Sequence, residues 1–210
     1  MVVVFDLDDT LYDEIEFVKS GFKEVANYLG KKEYYNFMID LFYKEGSGKI
    51  FDSLVKEFNL NVSLQKLIEI YKFHYPSIFL PKESKEVLDF SKSFKTALIS
   101  DGHYIMQKNK FYKLKLQNYI DFPIFTDFFH TKKPDLIPFK MVMDKYKTEK
   151  KFVYVSDNPK KDFIAPNKLD WITIRFKNPV GIYKDYPNDA MYEIINRAQI
   201  IEILKKESLC

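Results

Sequence analysis

The chain opens with Val2-Val3-Val4-Phe5, an apolar run that is mostly β-branched and too short for a helix. It predicts a strand buried on both faces. The period then changes. Ile15, Val18, Phe22, Val25, Ala26 and Leu29 recur at steps of three and four residues, which predicts an amphipathic helix, and Gly30 supplies its stop. A second helical stretch runs from about Tyr34 to Tyr43 and breaks at Gly46-Ser47-Gly48. Ile50, Phe51, Leu54, Val55 and Phe58 form a third stripe. Leu64, Leu67, Ile68 and Tyr71 form a fourth, with Ser63 as its N-cap. Residues 13–80 thus read as a small helical bundle containing no strand.

Pro76 and Pro81 flank the exit from this bundle. Val87, Leu88 and Phe90 then suggest a helix leading into a second buried strand, Thr96-Ala97-Leu98-Ile99-Ser100. Regular alternation follows: a helix near 104–115, a strand at 122–126, a helix near 138–147, a strand at 152–156, a short helix to about 165, and a strand at 171–176. From Ala190 to Lys206, Met191, Ile194, Ile195, Ala198, Ile201 and Leu204 lie at helical spacing and predict a closing helix. Strands that alternate with helices imply a parallel sheet covered on both faces. The expected architecture is therefore an α/β, doubly wound core from residues 1–12 and 81–210, with the helical segment 13–80 inserted after the first strand.

A chain of 210 residues suits one such core with a small second unit. No apolar run approaches the ~20 residues a membrane-spanning helix needs. The first apolar run is short, lacks a basic lead and ends in acid, so it does not read as a signal peptide. A cytoplasmic protein with no membrane partner is expected. Its single cysteine, Cys210, offers no internal disulfide. Lys and Arg exceed Asp and Glu by only 3, without a basic block. The Lys-aromatic runs Tyr71-Lys72-Phe73-His74-Tyr75 and Lys110-Phe111-Tyr112-Lys113 resemble base-stacking platforms, but 20 Phe and 15 Tyr are scattered throughout. A compositional bias explains them, and no nucleic-acid partner is expected.

The chemistry gathers at the strand ends, where a doubly wound sheet binds its ligands. After the first strand stand Asp6, Asp8 and Asp9. If the chain stays extended there, Asp6 and Asp8 face one side and reach one ligand while Asp9 turns away; the plainer alternative is an acidic turn. The second strand ends in Ser100-Asp101-Gly102, a hydroxyl and a turn whose N–H groups can face an anion. Lys133 precedes the fourth strand, and Asp157 and Asp162 follow it. Oxygen-only ligands suit Mg²⁺, while a lysine and N–H groups suit a phosphoryl group. Such a site could hydrolyse a small phosphate monoester, with Asp6 as nucleophile and Asp8 as acid and then base. His74, His103 and His130 lack metal-ligand spacing, although His103 follows the Ser-Asp-Gly turn and could touch a substrate. In the insert, Lys44 and Lys49 flank a glycine-containing loop and are further candidates for a substrate contact.

In this arrangement the chain resembles the haloacid dehalogenase-like (HAD) superfamily of Mg²⁺-dependent phosphatases, with its Rossmann-like core. Asp6-Leu7-Asp8-Asp9-Thr10 matches the DxDxT first motif, Ser100 the second, Lys133 the conserved lysine, and Asp157 with Asp162 the acidic fourth motif. The resemblance implies that Asp6 is nucleophile and Mg²⁺ ligand, and that Asp8 is acid/base, its carbonyl also binding Mg²⁺. It further implies that Asp157 binds Mg²⁺, Thr10 orders the loop, and Asp162 supports the metal shell or Lys133. Ser100, Asp101 and Lys133 are the phosphate-binding positions. The insert is similar to the C1 type of mobile cap, which in this family closes over the site and helps choose the substrate. Three positions depart from the pattern: Asp101 replaces a common Asn, Ser156 a usual Gly, and Asp170 a frequent Gly. Asp101 brings negative charge toward the phosphate. The stretches Asp157-Asn158-Pro159, Lys161-Asp162-Phe163 and Thr173-Ile174-Arg175 resemble small bacterial members tied to sugar-phosphate and surface-glycan metabolism. A phosphomutase on the same fold, or a non-catalytic phosphate-binding or signalling protein, would carry much of the same constellation.

Overall fold

The structure is a computed structural model that describes residues 1–209; Cys210 lies outside the described residues. β1 (Val2–Phe5) forms as its composition dictates, with all four side chains fully buried. A strand with no polar face has to be covered on both sides, so it takes the middle of the sheet. The chain divides into two compact units, one of Met1–Asp13 together with the chain from Phe79 onward, the other of Glu14–Ile78.

The second unit is helical: α1 (Glu14–Leu29), α2 (Lys32–Glu45), α3 (Ile50–Glu57) and α4 (Leu64–Phe73). Val18, Phe22, Val25, Met38, Leu54 and Leu67 form its core. Gly30 ends α1 at φ +81, a left-handed conformation that costs glycine little, and its N–H bonds the Ala26 carbonyl at 3.0 Å. Ser63 caps α4 by accepting the Lys66 N–H at 3.2 Å. The buried His74 lies against the Ser20 hydroxyl at 3.0 Å and the Tyr71 carbonyl at 2.7 Å, a structural role.

The first unit continues with α5 (Lys82–Ser91), β2 (Lys95–Ser100), α6 (Tyr104–Lys113), β3 (Phe122–Phe125), α7 (Ile137–Lys145), β4 (Phe152–Ser156), α8 (Ile164–Lys168), β5 (Ile172–Phe176), β6 (Tyr192–Ile194) and α9 (Gln199–Leu209). Among the described residues the strands form one six-stranded sheet in the order β3-β2-β1-β4-β5-β6, every neighbouring pair parallel. This is the α/β, doubly wound Rossmann-like arrangement. On one face Val2, Val4, Ala97, Ile99 and Tyr154 pack with Phe139 and Val142 of α7 and with Phe163 and Trp171. The alternate residues Val3, Phe5, Leu98, Val153 and Val155 are buried on the other face.

Several expected elements need correction. The closing helix over 190–206 is instead β6 followed by α9, with Met191 and Ile195 of the expected stripe exposed. Three residues of strand are too short to show alternation, and Met191, Ile194 and Ala198 fall at steps of three and four by coincidence, before α9 begins. The short helix expected to end near 165 starts at Ile164, after a turn through Asp162. Strand limits shift by a residue: Thr126 opens a 3₁₀ turn, and Trp171 precedes β5. Asp170 explains its departure from the family pattern, since its φ of +55 is the conformation for which glycine is the usual choice. Among the described residues no helix is long and apolar enough to cross a membrane.

Candidate active site

β1 lies between β2 and β4, where the strand order reverses, so the carboxyl ends of these three strands open at one edge. Asp6 leaves β1 with its N–H on the Val155 carbonyl at 2.9 Å. Ser100 ends β2, and Asp157 follows β4. Carboxylate oxygens of the buried Asp6, Asp157 and Asp162 lie within 4.8 Å of one another. Lys133, 3% exposed, reaches into this cluster from the loop before α7. Its Nζ lies 2.9 Å from Asp6 Oδ1 and 3.1 Å from Asp162 Oδ1, and donates to the Tyr154 hydroxyl at 3.2 Å. The Ser156 hydroxyl sits between Asp162 and Asp6 Oδ2, the latter at 3.2 Å. Thr10 Oγ1 donates to Asp157 Oδ1 at 3.5 Å. The buried Ser100 Oγ has no hydrogen-bond partner among the described residues, which leaves a donor ready for an incoming oxygen.

Three carboxylates crowd one ammonium, and the proton affinities record the imbalance. Burial, with Asp162 adding and Lys133 opposing, pushes Asp6 up to about 7. Burial and then the charges of Asp6, Asp162 and Asp9 push Asp157 up to about 9. Burial works against the charge on Lys133, but Asp162 and Asp6 hold it well above the ordinary lysine value. An oxygen-only donor set short of positive charge fits a hard divalent cation.

Asp8 belongs to a second network. β1 ends at Phe5, the Leu11 N–H bonds the Leu7 carbonyl at 3.0 Å, and Asp9 has φ +51, so the chain turns directly after Asp8. Asp6 and Asp8 are engaged by different lysines, Lys133 and Lys110. Asp8 Oδ1 accepts from Lys110 Nζ at 2.8 Å and from the Tyr12 hydroxyl, and Oδ2 accepts from Gln107 Nε2 at 2.7 Å. Burial opposes the charge on Asp8, but Lys110, helped by Tyr12 and Gln107, holds its carboxyl below the usual range. Asp9 is held by Asn178, whose Nδ2 donates to its Oδ1 at 3.2 Å.

Residues 3–175 match the family described as haloacid dehalogenase-like hydrolase. The chain belongs to the haloacid dehalogenase-like hydrolases. It is 30% identical to the glyceraldehyde 3-phosphate phosphatase of Methanocaldococcus jannaschii, over 97% of this chain and 96% of that one. It is 25% identical to the Pyrococcus furiosus protein of the same name, over 99% and 94%. The fold resembles that of the HAD hydrolase YfnB of Bacillus subtilis, solved bound to magnesium, with a TM-score of 0.72 and 14% identity over 97% of both chains.

Within this hydrolase Asp101 stands differently from the sequence reading, which placed it as a phosphate-binding residue of bare negative charge. Its carboxylate is engaged by Lys161 Nζ at 2.6 Å, by the Thr126 hydroxyl at 2.9 Å and by the Lys133 N–H at 3.1 Å. Burial opposes its charge, yet Lys133 and Lys161 hold its pKa below the usual value. The Asp101 carboxylate is thus engaged within the fold by Lys161, Thr126 and the Lys133 main chain. His103 is the N-cap residue of α6, partly exposed. Lys44 and Lys49 belong to the helical unit; Lys44 lies 3.9 Å from Glu45, and Lys49 precedes α3 at φ +59.

Sequence reasoning missed Tyr12, Gln107, Lys110, Tyr154, Ser156 as a hydroxyl donor, and Lys161. One signal was available. Gln107, Lys110, Phe111 and Leu114 share an α6 face at steps of three and four, and all are buried. A glutamine and a lysine on an inward stripe require partners.

Proposed function

We propose that this hydrolase is a divalent-metal-dependent phosphatase of small phosphate monoesters, a three-carbon sugar phosphate foremost, acting through an aspartyl-phosphate on Asp6. The observation that carries the reading is the Asp6 carboxylate, held 2.9 Å from Lys133 Nζ beside Asp157 and Asp162, with the buried Ser100 hydroxyl unengaged at the neighbouring strand end. The glyceraldehyde 3-phosphate phosphatases it matches along nearly its whole length support the substrate class.

Asp6, Asp157 and the main-chain carbonyl of Asp8 would hold Mg²⁺, which supplies positive charge against the phosphoryl oxygens. Lys133 and Ser100 bind and orient the phosphoryl group, so that Asp6 Oδ attacks phosphorus without the full repulsion of two anions. The P–O bond to the sugar breaks as the Asp6 Oδ–P bond forms, and Asp8 passes a proton to the departing alkoxide. Water then attacks phosphorus as the Asp6 Oδ–P bond breaks, which releases inorganic phosphate and frees the Asp6 carboxylate, and the ionised Asp8 takes the water's proton, which restores its carboxyl for the next leaving group. Asp162 and Ser156 hold Lys133 and Asp6 in place.

The test is inorganic phosphate release from glyceraldehyde 3-phosphate, hexose phosphates, nucleotides and phosphorylated amino acids, with MgCl₂ and with chelator. Metal-dependent release, strongest for the three-carbon sugar phosphate and absent in Asp6→Asn, is expected. Undiminished turnover in chelator, or release by Asp6→Asn, would overturn the proposal.

A further inference from the structure

We infer that Lys110 and Gln107 are positioning residues that fix the Asp8 carboxylate so that Oδ2, and not Oδ1, exchanges the proton with leaving group and water. The inference rests on the reading of Asp8 as acid and base. An ionised carboxylate has about four lone-pair sites, two on each oxygen. Oδ1 accepts from Lys110 Nζ at 2.8 Å and from the Tyr12 hydroxyl, which occupies both of its sites. Oδ2 accepts from Gln107 Nε2 alone, at 2.7 Å, and keeps one site open. The Asp8 side chain retains 19% of its surface exposed, as a group that meets a substrate must, whereas Lys110 is fully buried.

The arrangement is built into the fold. Gln107 and Lys110 are one turn apart on α6, the helix that follows the Ser100-Asp101-Gly102 turn, so both reach the tip of β1 from the same face. Gln107 Nε2 also donates to the Asp101 carbonyl and thereby ties the tips of β1 and β2 together. Gly102, at φ +116, makes room for it: a Cβ there would stand 2.8 Å from Gln107 Nε2. A buried lysine whose ammonium is 2.8 Å from one exchangeable carboxylate does more than fill space, because replacing both by apolar groups would cost the fold little.

The experiment measures Lys110→Met and Gln107→Met beside Asp8→Asn, each with glyceraldehyde 3-phosphate and with 4-nitrophenyl phosphate, whose leaving group needs little protonation. For Lys110→Met the expected result is a kcat on the sugar phosphate lowered about 10- to 100-fold, a fraction of what proton transfer contributes. KM and the Mg²⁺ concentration for half-activity should hold within about twofold, the signature of an interaction realised in the transition state. With 4-nitrophenyl phosphate a burst of 4-nitrophenolate equal to the enzyme concentration should precede slow turnover. Gln107→Met should show the same pattern, several-fold weaker, and decides the matter if Lys110→Met does not fold. Absence of the burst with 4-nitrophenyl phosphate, or a change in KM alone, would overturn the inference. If Asp8→Asn shows the leaving-group dependence and the Lys110 and Gln107 variants do not, the positioning role falls while the acid/base reading stands; if Asp8→Asn lacks it, the acid/base reading itself falls.

Discussion

Lys133→Met removes one ammonium from the centre of the acidic cluster while keeping the length and apolar bulk of the side chain. In the parent, Nζ lies 2.9 Å from Asp6 and 3.1 Å from Asp162, two pairs that each attract by roughly 5–6 kcal/mol at an effective dielectric constant of ~20. Most of that is offset by the cost of burying the charges, so the pairs add little net stability. Removing one partner is different, because it leaves the others buried and uncompensated at a cost of about 3–5 kcal/mol. For a chain of this size that corresponds to a fall in Tm of roughly 6–20 °C. The assay is thermal unfolding by circular dichroism in chelator and across a MgCl₂ series. Mg²⁺ should stabilise the variant more than the parent, because the released carboxylates no longer share their charge with a lysine. The sharper check is Asp162→Asn, which should destabilise the parent yet stabilise the Lys133→Met background, since there it deletes an orphaned charge. A variant that melts with the parent in chelator, or an Asp162→Asn effect of the same sign in both backgrounds, would refute the reasoning.

Asp8→Asn should keep Mg²⁺ and phosphate binding and lose roughly 10²- to 10⁴-fold in turnover of an alkyl phosphate, with phosphorylated Asp6 accumulating from 4-nitrophenyl phosphate and visible by mass spectrometry; near-parental turnover removes Asp8 from proton transfer. Lys161→Met should leave Asp101 without its 2.6 Å ion pair and raise KM for phosphorylated substrates by roughly ten- to a hundredfold, an effect of about 1.5–3 kcal/mol for a charged hydrogen bond; an unchanged KM means Asp101 does not bear on the anion. Changing Lys44 and Lys49 together to alanine should reorder preference among substrates in the phosphate-release panel without altering the Mg²⁺ requirement, and an unchanged ranking excludes that loop from substrate choice.

Much of this protein was legible in its residues because the signals are local. A run such as Val2-Val3-Val4-Phe5 permits little but a central strand, and the three-and-four spacing of α1 to α4 separates the helical segment from the alternating core. Asp6, Ser100, Lys133, Asp157 and Asp162 could be named as one site since strand ends in a doubly wound sheet converge. β6 could not be read, because three residues acquire strand geometry only by pairing with the edge of β5. The division of Asp6 and Asp8 between different lysines was equally hidden.

Which charges neutralise one another was decided by the tertiary structure alone. Lys161 meets Asp101 across 60 residues and Lys110 meets Asp8 across 102; the α6 stripe marks Lys110 as inward-facing without naming its partner, and nothing local marks Lys161 at all. Apart from β6, the sequence by itself determined the elements and the acids at their ends, since hydrophobic period and turn residues act over a few positions. The state of those acids was left to the fold, because an electrostatic partner is chosen by distance through the packed interior and not by distance along the chain.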